Sequence, residues 1–184
     1  MTTSVSPNVG TTTWNIDPAH TQAEFSVKHL MIATVRGHFG NVSGTVAIQN
    51  DDPTTAKVDV SIDAKSLDTR DEKRDAHLRS PDFFDVEKYP TIGFRSTQVE
   101  RAGSGFRLTG DLTIAGVTKP VTLDVEDEGR ARDPWGNEKA AFSATTKIKR
   151  SEFGLTWNVA LEAGGVLVGD DIKITIEAQL AKAS

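Results

Sequence analysis

Apolar and polar residues alternate with a period of two through most of the chain. Val58, Val60 and Ile62, for example, share one face of a segment whose other face carries lysine, aspartate and serine. Side chains of a β-strand point alternately to its two faces, so this period is typical of strands with one buried face. The pattern predicts eight to ten strands in sequence, most of them joined by hairpins, including one at the link Ala115-Gly116-Val117.

Residues 69–90 interrupt the alternation. They predict a short charged helix that ends at Pro81, because the proline ring cannot continue helical hydrogen bonding. Thr69 and Glu72 have the spacing of a capping box, in which two side chains satisfy free amides at the helix start. A helix this short and polar is not stable alone. We therefore expect the aromatic pair at 83–84 to anchor it against the strands.

Sequential antiparallel strands with one apolar face pack either as a sandwich or as a closed barrel. Closure removes exposed strand edges, and about eight strands leave an interior that is filled by side chains or holds one small ligand. The inward rows include small residues, namely Gly110, Ala144, Thr146 and Ser96. These indicate either an internal cavity or the bends that close a barrel.

Length and composition predict one ordered domain. A chain of 184 residues is long enough for one well-filled core, and 37% hydrophobic with 26% charged residues is ordinary for a globular protein. Residues 1–11 lack periodicity, and we expect a disordered tail there. Residues 12–182 are expected to form a single domain.

Charge and residue usage exclude several classes of protein. A net charge of −5 without a lysine or arginine cluster argues against a nucleic-acid partner. The absence of cysteine excludes disulfides and thiolate metal sites. No apolar stretch reaches the ~20 residues that cross a bilayer, and the first residues do not resemble a secretory signal. We expect a cytoplasmic protein, or a periplasmic or secreted one if a leader has been removed.

The histidines offer the only candidates for acid–base chemistry. His20 lies close to Asp17 and fits a general base oriented by a carboxylate, but a turn histidine bonded to the backbone is the favoured interpretation. Asp75 and His77 are two residues apart on the predicted helix, which does not place them face to face. No histidine pair has the spacing of a metal site, so no metal is expected. Serine-nucleophile and phosphate-loop motifs are also absent from the sequence.

Six short motifs, in order, cover the chain from Trp14 to about Leu180. They are WNIDPAHT at 14–21, FSVKH at 25–29, GHF at 37–39, RDAHLRSPDFFD at 74–85 with YP at 89–90 and Phe94, GDLTIAGVT at 110–118, and RSEFG at 150–154. Together they resemble the YceI-like family, lipocalin-like proteins that bind polyisoprenoid or similar amphiphilic lipids. Thr21 stands where the family usually has serine and Glu152 where it commonly has aspartate, and both keep the chemical type.

The resemblance implies an all-β fold: an extended antiparallel eight-stranded lipocalin-like β-barrel with one or two short helices inserted between strands. It also implies binding, storage or transport of a long-chain isoprenoid or quinone-like amphiphilic lipid in an internal hydrophobic tunnel, with no other cofactor. Strand parity and motif membership together predict the tunnel walls. The predicted wall residues are Phe25, Phe39, Leu78, Phe83, Phe84, Phe94, Leu112, Ile114, Phe142, Ile148 and Phe153.

Two other functions stay open at this point. One is an enzyme, a hydrolase or isomerase of a lipid-like substrate, with His20, Asp17 or His77 as acid or base. It requires one of these histidines to face the cavity beside a carboxylate. The other is a structural or stress-related module that uses a filled barrel for dimerisation, and a homodimer is possible in either case.

Overall fold

The computed structural model describes residues 10–184, so most of the predicted tail lies outside the described residues. The ordered chain consists mainly of strands. They are β1 (Thr11–Ile16), β2 (Gln22–His29), β3 (Ala33–Phe39), β4 (Val42–Gln49), β5 (Asp52–Asp63), β6 (Thr91–Ala102), β7 (Gly105–Ile114), β8 (Val117–Arg132), β9 (Glu138–Lys149) and β10 (Asp171–Lys182). One α-helix, α1 (Glu72–Arg79), and three 3₁₀ turns at Pro18–His20, Ala64–Ser66 and Arg150–Phe153 lie between them.

The strands form one antiparallel sheet in the order β1-β4-β5-β6-β7-β8-β9-β10, and β1 also pairs with β10. This last pairing closes the sheet into a barrel. The hairpin of β2 and β3 continues the sheet beside β10. Because β1 and β2 follow each other along the same edge of β10, they are two halves of one kinked strand, as are β3 and β4. The fold is therefore a closed eight-stranded antiparallel barrel, as predicted.

The kink between β1 and β2 lies at Asp17–Pro18. Proline has no N–H for the ladder, so the strand leaves the sheet for one turn. The Asp17 N–H donates to the Gln179 carbonyl at 2.8 Å just before the kink. The Thr21 hydroxyl accepts from the Gln179 N–H at 3.2 Å just after it. Both halves of the strand are thus fixed to the same residue of β10.

The barrel wall is incomplete beside β3, which pairs with β2 but is the last strand of the sheet on its other side. The segment between β5 and β6 fills this opening. His38 and Asp68 exchange backbone hydrogen bonds of 3.0 and 2.9 Å, and the edge of the Phe84 ring meets the Phe39 ring at a centroid distance of 5.5 Å. Residues 64–90 are therefore part of the wall.

The helix begins differently from the prediction. Its N-cap is Asp71, whose carboxylate accepts from the Arg74 N–H at 3.0 Å, so the capping box of Thr69 and Glu72 does not form. Thr69 is buried and donates its N–H and hydroxyl to the Asp75 carboxylate instead. The helix ends before Pro81, as predicted. Among residues 10–184, no helix is long and apolar enough to cross a bilayer.

Candidate functional site: an apolar cavity inside the barrel

The barrel encloses a cavity of about 320 Å³ whose walls include inward-facing residues from every strand. This volume lies within the range of about 300–1,000 Å³ typical of small-molecule sites. Nearly all of the lining side chains are aliphatic or aromatic. The lining residues with a polar or charged group are Trp14, through its indole N–H, Thr21, Glu24, Arg130, Thr146 and Arg150. Such a cavity suits an apolar ligand that needs few hydrogen bonds.

All of the residues predicted from the sequence as tunnel walls line this cavity. They are Phe25, Phe39, Leu78, Phe83, Phe84, Phe94, Leu112, Ile114, Phe142, Ile148 and Phe153. Most of them lie on the inward face of a strand or on the segment that covers the opening beside β3, and Phe153 lies in the 3₁₀ turn after β9. Their contact with a bound lipid stays a prediction.

More residues line the cavity than the sequence predicted, because β4, β5, β8 and β10 contribute rows of aliphatic residues outside the family motifs. The residues concerned include Val46, Val58, Val60, Ile62, Val121, Leu123, Val125, Ile172, Ile174 and Ile176. Their signal in the sequence is the alternation itself, which places each row on the same face as the predicted aromatic residues. The inward face of each strand therefore predicts more of the cavity lining than membership of a family motif does.

The small inward residues serve two purposes. Ala144 and Thr146 line the cavity, where short side chains leave space. Gly110 is covered by the Phe94 ring, and a Cβ on Gly110 would lie 2.5 Å from Phe94 Cζ. The Ser96 hydroxyl accepts from the Val58 N–H at 2.8 Å, beside an irregularity in the pairing of β6 and β7. Both the cavity and the bends suggested by the sequence are present.

An aromatic cluster closes the cavity beside the helix. The Phe25 and Phe39 rings are 5.6 Å apart, and Phe39 in turn meets Phe84. Phe83 is buried and lies 5.5 Å from the Trp157 ring, centroid to centroid. The segment after α1 thus turns its two phenylalanines inward, as the sequence predicted, while the charged face of the helix stays outside.

Arg150 is a functional candidate that belongs to the RSEFG motif but that no sequence pattern singles out. It lines the cavity and is only 7% exposed. Its guanidinium donates to the carbonyls of Gly169 at 2.8 Å, Leu155 at 2.7 Å, Trp157 at 2.9 Å and Val168 at 3.2 Å. Burial lowers the pKa of this guanidinium. These bonds hold the long connection between β9 and β10 against the end of the barrel.

The histidine–carboxylate pairs are not part of the cavity lining, although the His77 ring packs on the outside of Phe83 at a centroid distance of 5.1 Å. His20 Nδ1 is 2.8 Å from Asp17 Oδ2, and this hydrogen bond lowers the pKa of Asp17. His77 Nε2 is 2.9 Å from Asp82 Oδ2. Neither pair contributes to the cavity lining. Among residues 10–184, no group of three or more histidine, aspartate or glutamate side chains is placed to hold a metal ion.

Comparison with known proteins identifies the family. A family model described as the YceI-like domain matches residues 14–180. This chain belongs to the YceI-like family. A UPF0312 protein of Pectobacterium atrosepticum is 43% identical over 137 residues, which cover 74% of this chain and 71% of that protein. Protein YceI of Escherichia coli O157:H7 is 39% identical over 158 residues, 86% of this chain and 81% of that protein.

Several solved structures share this fold. The YCEI protein of Campylobacter jejuni superposes with a TM-score of 0.71 at 36% identity, over 85% of this chain and 90% of that one. BcnA of Burkholderia cenocepacia gives 0.75 at 24% identity, over 89% and 98%. A polyisoprenoid-binding domain from Saccharophagus degradans gives 0.64 at 13% identity, over 92% and 98%. The last two likenesses show a common fold.

Proposed function

We propose that this YceI-like protein binds a long-chain isoprenoid or quinone-like amphiphilic lipid inside the barrel and stores or transports it. The observation that carries the proposal is the cavity lining, which is apolar on every strand and has polar groups at only a few positions. The Saccharophagus degradans domain with the same fold is described as polyisoprenoid-binding, which supports this class of ligand.

The energetics favour a long chain over a short one. Each buried CH₂ group contributes ~0.8 kcal/mol, so a chain with about 20 buried carbons contributes about 16 kcal/mol. Association costs about 4–15 kcal/mol. A short lipid does not reliably offset that cost in an apolar cavity, whereas a long one does. Selection would then depend on how much chain the barrel covers and on the few polar groups of the lining.

Binding agrees better with the structure than hydrolysis or isomerisation of a lipid does. Acid–base catalysis requires a titratable group within hydrogen-bond reach of the reacting atom. His20 and His77 each have a carboxylate partner, but both pairs lie outside the lining of the cavity. The cavity therefore suits a ligand that is bound and released without chemical change.

The test is mass spectrometry of lipids extracted from the purified protein, followed by uptake of a polyprenol or prenylquinone by the lipid-free protein. We expect a co-purifying isoprenoid and saturable uptake. Ala144→Leu adds volume inside the cavity and should reduce uptake, whereas Thr145→Leu places a leucine on the outer face of β9 and should not. The absence of both bound lipid and uptake would overturn the proposal.

A further inference from the structure

The turn between β2 and β3 presents three large apolar side chains to solvent. Leu30 is 42% exposed, Met31 61% and Ile32 84%, and we call these residues the apolar tip. The Leu30 N–H donates to the Leu167 carbonyl at 2.9 Å, which fixes the tip to the connection before β10. Exposed Val159 and Val166 lie on that same connection. Five exposed apolar side chains thus lie at one end of the barrel.

The backbone of the tip is strained for the residues that occupy it. Leu30 and Met31 have φ angles of 52° and 64°, in the left-handed region that large side chains disfavour. A turn whose two central residues both have positive φ ordinarily takes asparagine, aspartate or glycine at those positions. The turn between β4 and β5 follows that rule, with Asn50 and Asp51 at φ angles of 52° and 56°. The tip therefore exposes leucine and methionine where a polar turn would be more stable.

Positive charges flank the tip on the outer face of the barrel. Lys28 on β2, Arg36 on β3, Lys147 on β9 and Lys173 on β10 form a set that we call the basic collar. Lys173 lies opposite Lys147 in the pairing of β9 with β10, and Ser26 lies between Lys173 and Arg36. None of the four is in an ion pair with another described residue.

Some of the acidic side chains at this end already have an ion-pair or hydrogen-bond partner. Asp171 pairs with Lys149 at 3.0 Å, and Asp170 accepts hydrogen bonds from the N–H and hydroxyl of Ser151 at 2.9 and 2.8 Å. Glu152 in the 3₁₀ turn after β9 and Glu162 in the connection before β10 are both exposed. Although the whole chain has a net charge of −5, the surface next to the tip thus carries free cations.

We propose that the apolar tip and the basic collar dock the protein on the surface of an anionic phospholipid bilayer. The apolar side chains enter the boundary between head groups and acyl chains, and the collar contacts lipid phosphates. A second copy of this chain fits less well, because a twofold interface on this surface would bring the two collars together. Charge complementarity therefore favours the membrane.

Docking at the tip would bring the cavity to the membrane. Val27 and Val168 line the cavity, and both lie next to the tip: Val27 on β2, and Val168 bridged to His29. A lipid that leaves the bilayer at this end has a short path into the barrel. This consequence rests on the proposed function, whereas docking itself does not.

The decisive variant is Leu30→Asn with Met31→Gly, which installs the residues that the turn prefers and should keep the fold. Cosedimentation with phosphatidylcholine vesicles, with and without phosphatidylglycerol, measures docking. The wild-type protein should bind the anionic vesicles, and this variant should lose that binding. Trp135→Ser is the matched control, because Trp135 is 84% exposed and lies between β8 and β9 at the other end of the barrel.

Removal of positive charges from the basic collar is the second part of the vesicle experiment. Lys28→Gln with Lys173→Gln should weaken binding to the anionic vesicles about 25-fold, since each cation near such a surface contributes about fivefold. Added salt should weaken wild-type binding in the same direction. Equal binding of wild type and tip variant, or no binding by either, would overturn the proposal. If the tip variant instead converted a dimer to a monomer in sedimentation and left vesicle binding unchanged, membrane docking would be wrong and the tip would be an interface with a second copy of the chain.

The two proposals fail separately. Uptake of a polyprenol dispersed in detergent reports on the cavity alone, and the tip variant should retain it. Vesicle binding by lipid-free protein reports on the tip alone. A protein that binds vesicles but takes up no polyprenol would refute the proposed function and leave docking intact.

Discussion

Arg150 shows how one buried cation organises the end of the barrel. Its fork of donors satisfies four carbonyls of a connection that has little regular structure. Lysine keeps the charge but cannot match this planar geometry. We expect Arg150→Lys to lower the free energy of unfolding by about 1.5–3 kcal/mol, because hydrogen bonds to a charged group are lost and buried carbonyls stay unpaired.

Hydrogen exchange distinguishes this local role from a general one. In Arg150→Lys, amides of residues 155–170 should exchange faster, while amides of β6 and β7 keep their protection. Arg95→Lys is the control, because Arg95 forms an exposed ion pair with Asp59 and should change stability very little. Equal acceleration in all strands would contradict the assigned role.

Phe83 tests whether one residue serves both fold and ligand. It is buried and also lines the cavity. Phe83→Ala should cost about 3–5 kcal/mol of stability, as truncation of a buried phenylalanine does. Leu67 is a matched control, since it is fully buried but does not line the cavity. Leu67→Ala should cost about 2–5 kcal/mol.

The comparison between these two variants is made on lipid retention. At a temperature where both are folded, Phe83→Ala should retain less isoprenoid than the wild type, whereas Leu67→Ala should retain a normal amount. Mass spectrometry of the bound lipid, normalised to folded protein, measures this. Equal loss of lipid in both variants would mean that Phe83 acts through stability alone.

At the scale of elements, the N-terminus of α1 has two acidic positions with different roles. Asp71 caps the helix at an exposed position, and Asp75 is buried and accepts from Thr69. Asp71→Ala should cost about 1 kcal/mol, the usual effect of losing an N-cap. Thr69→Val should cost about 1–3 kcal/mol, because it leaves a buried carboxylate without one of its donors. Chemical denaturation measures both. A larger cost at Asp71 than at Thr69 would contradict this assignment.

The helix also shows where sequence reasoning stops. The spacing of Thr69 and Glu72 satisfied a local rule, and nothing local indicated that Thr69 would be buried against β3. Its burial follows from the gap beside β3, which residues 64–90 cover. That gap depends on strand register across the barrel. Local signals therefore predicted that a helix exists and ends at Pro81, but not which residue caps it.

The strands were more predictable because their signal is repeated. Alternation identified the inward face of each strand, and the Ala115–Gly116 turn formed where expected. The same alternation placed the predicted aromatic residues of the strands around one cavity. It could not show that β1 with β2 and β3 with β4 are kinked halves of two strands, because the kinks follow from pairing with distant β10 and β5. The role of Arg150 could not be predicted either, because its hydrogen-bond partners are backbone carbonyls, which leave no pattern in the sequence.

At the scale of the whole molecule, a ligand inside a closed barrel must stabilise it. A lipid that binds only the folded state adds about 2.7 kcal/mol at a free concentration of 100 times its Kd. A domain of this size gains about 2–4 °C in Tm per kcal/mol. Saturation of the lipid-free protein with a polyprenol should therefore raise Tm by about 5–10 °C. Differential scanning calorimetry measures the shift.

The variants already introduced make this thermal shift specific. Ala144→Leu fills part of the cavity and should reduce the shift, whereas Thr145→Leu on the outer face should leave it unchanged. Leu30→Asn with Met31→Gly should keep the full shift, because the apolar tip lies outside the cavity. A shift of the same size in Ala144→Leu as in the wild type would mean that the lipid binds the outer surface. A lipid bound to the outer surface would depend on exposed apolar side chains. In that case, loss of the Tm shift in Leu30→Asn with Met31→Gly would identify the apolar tip as the surface that binds it.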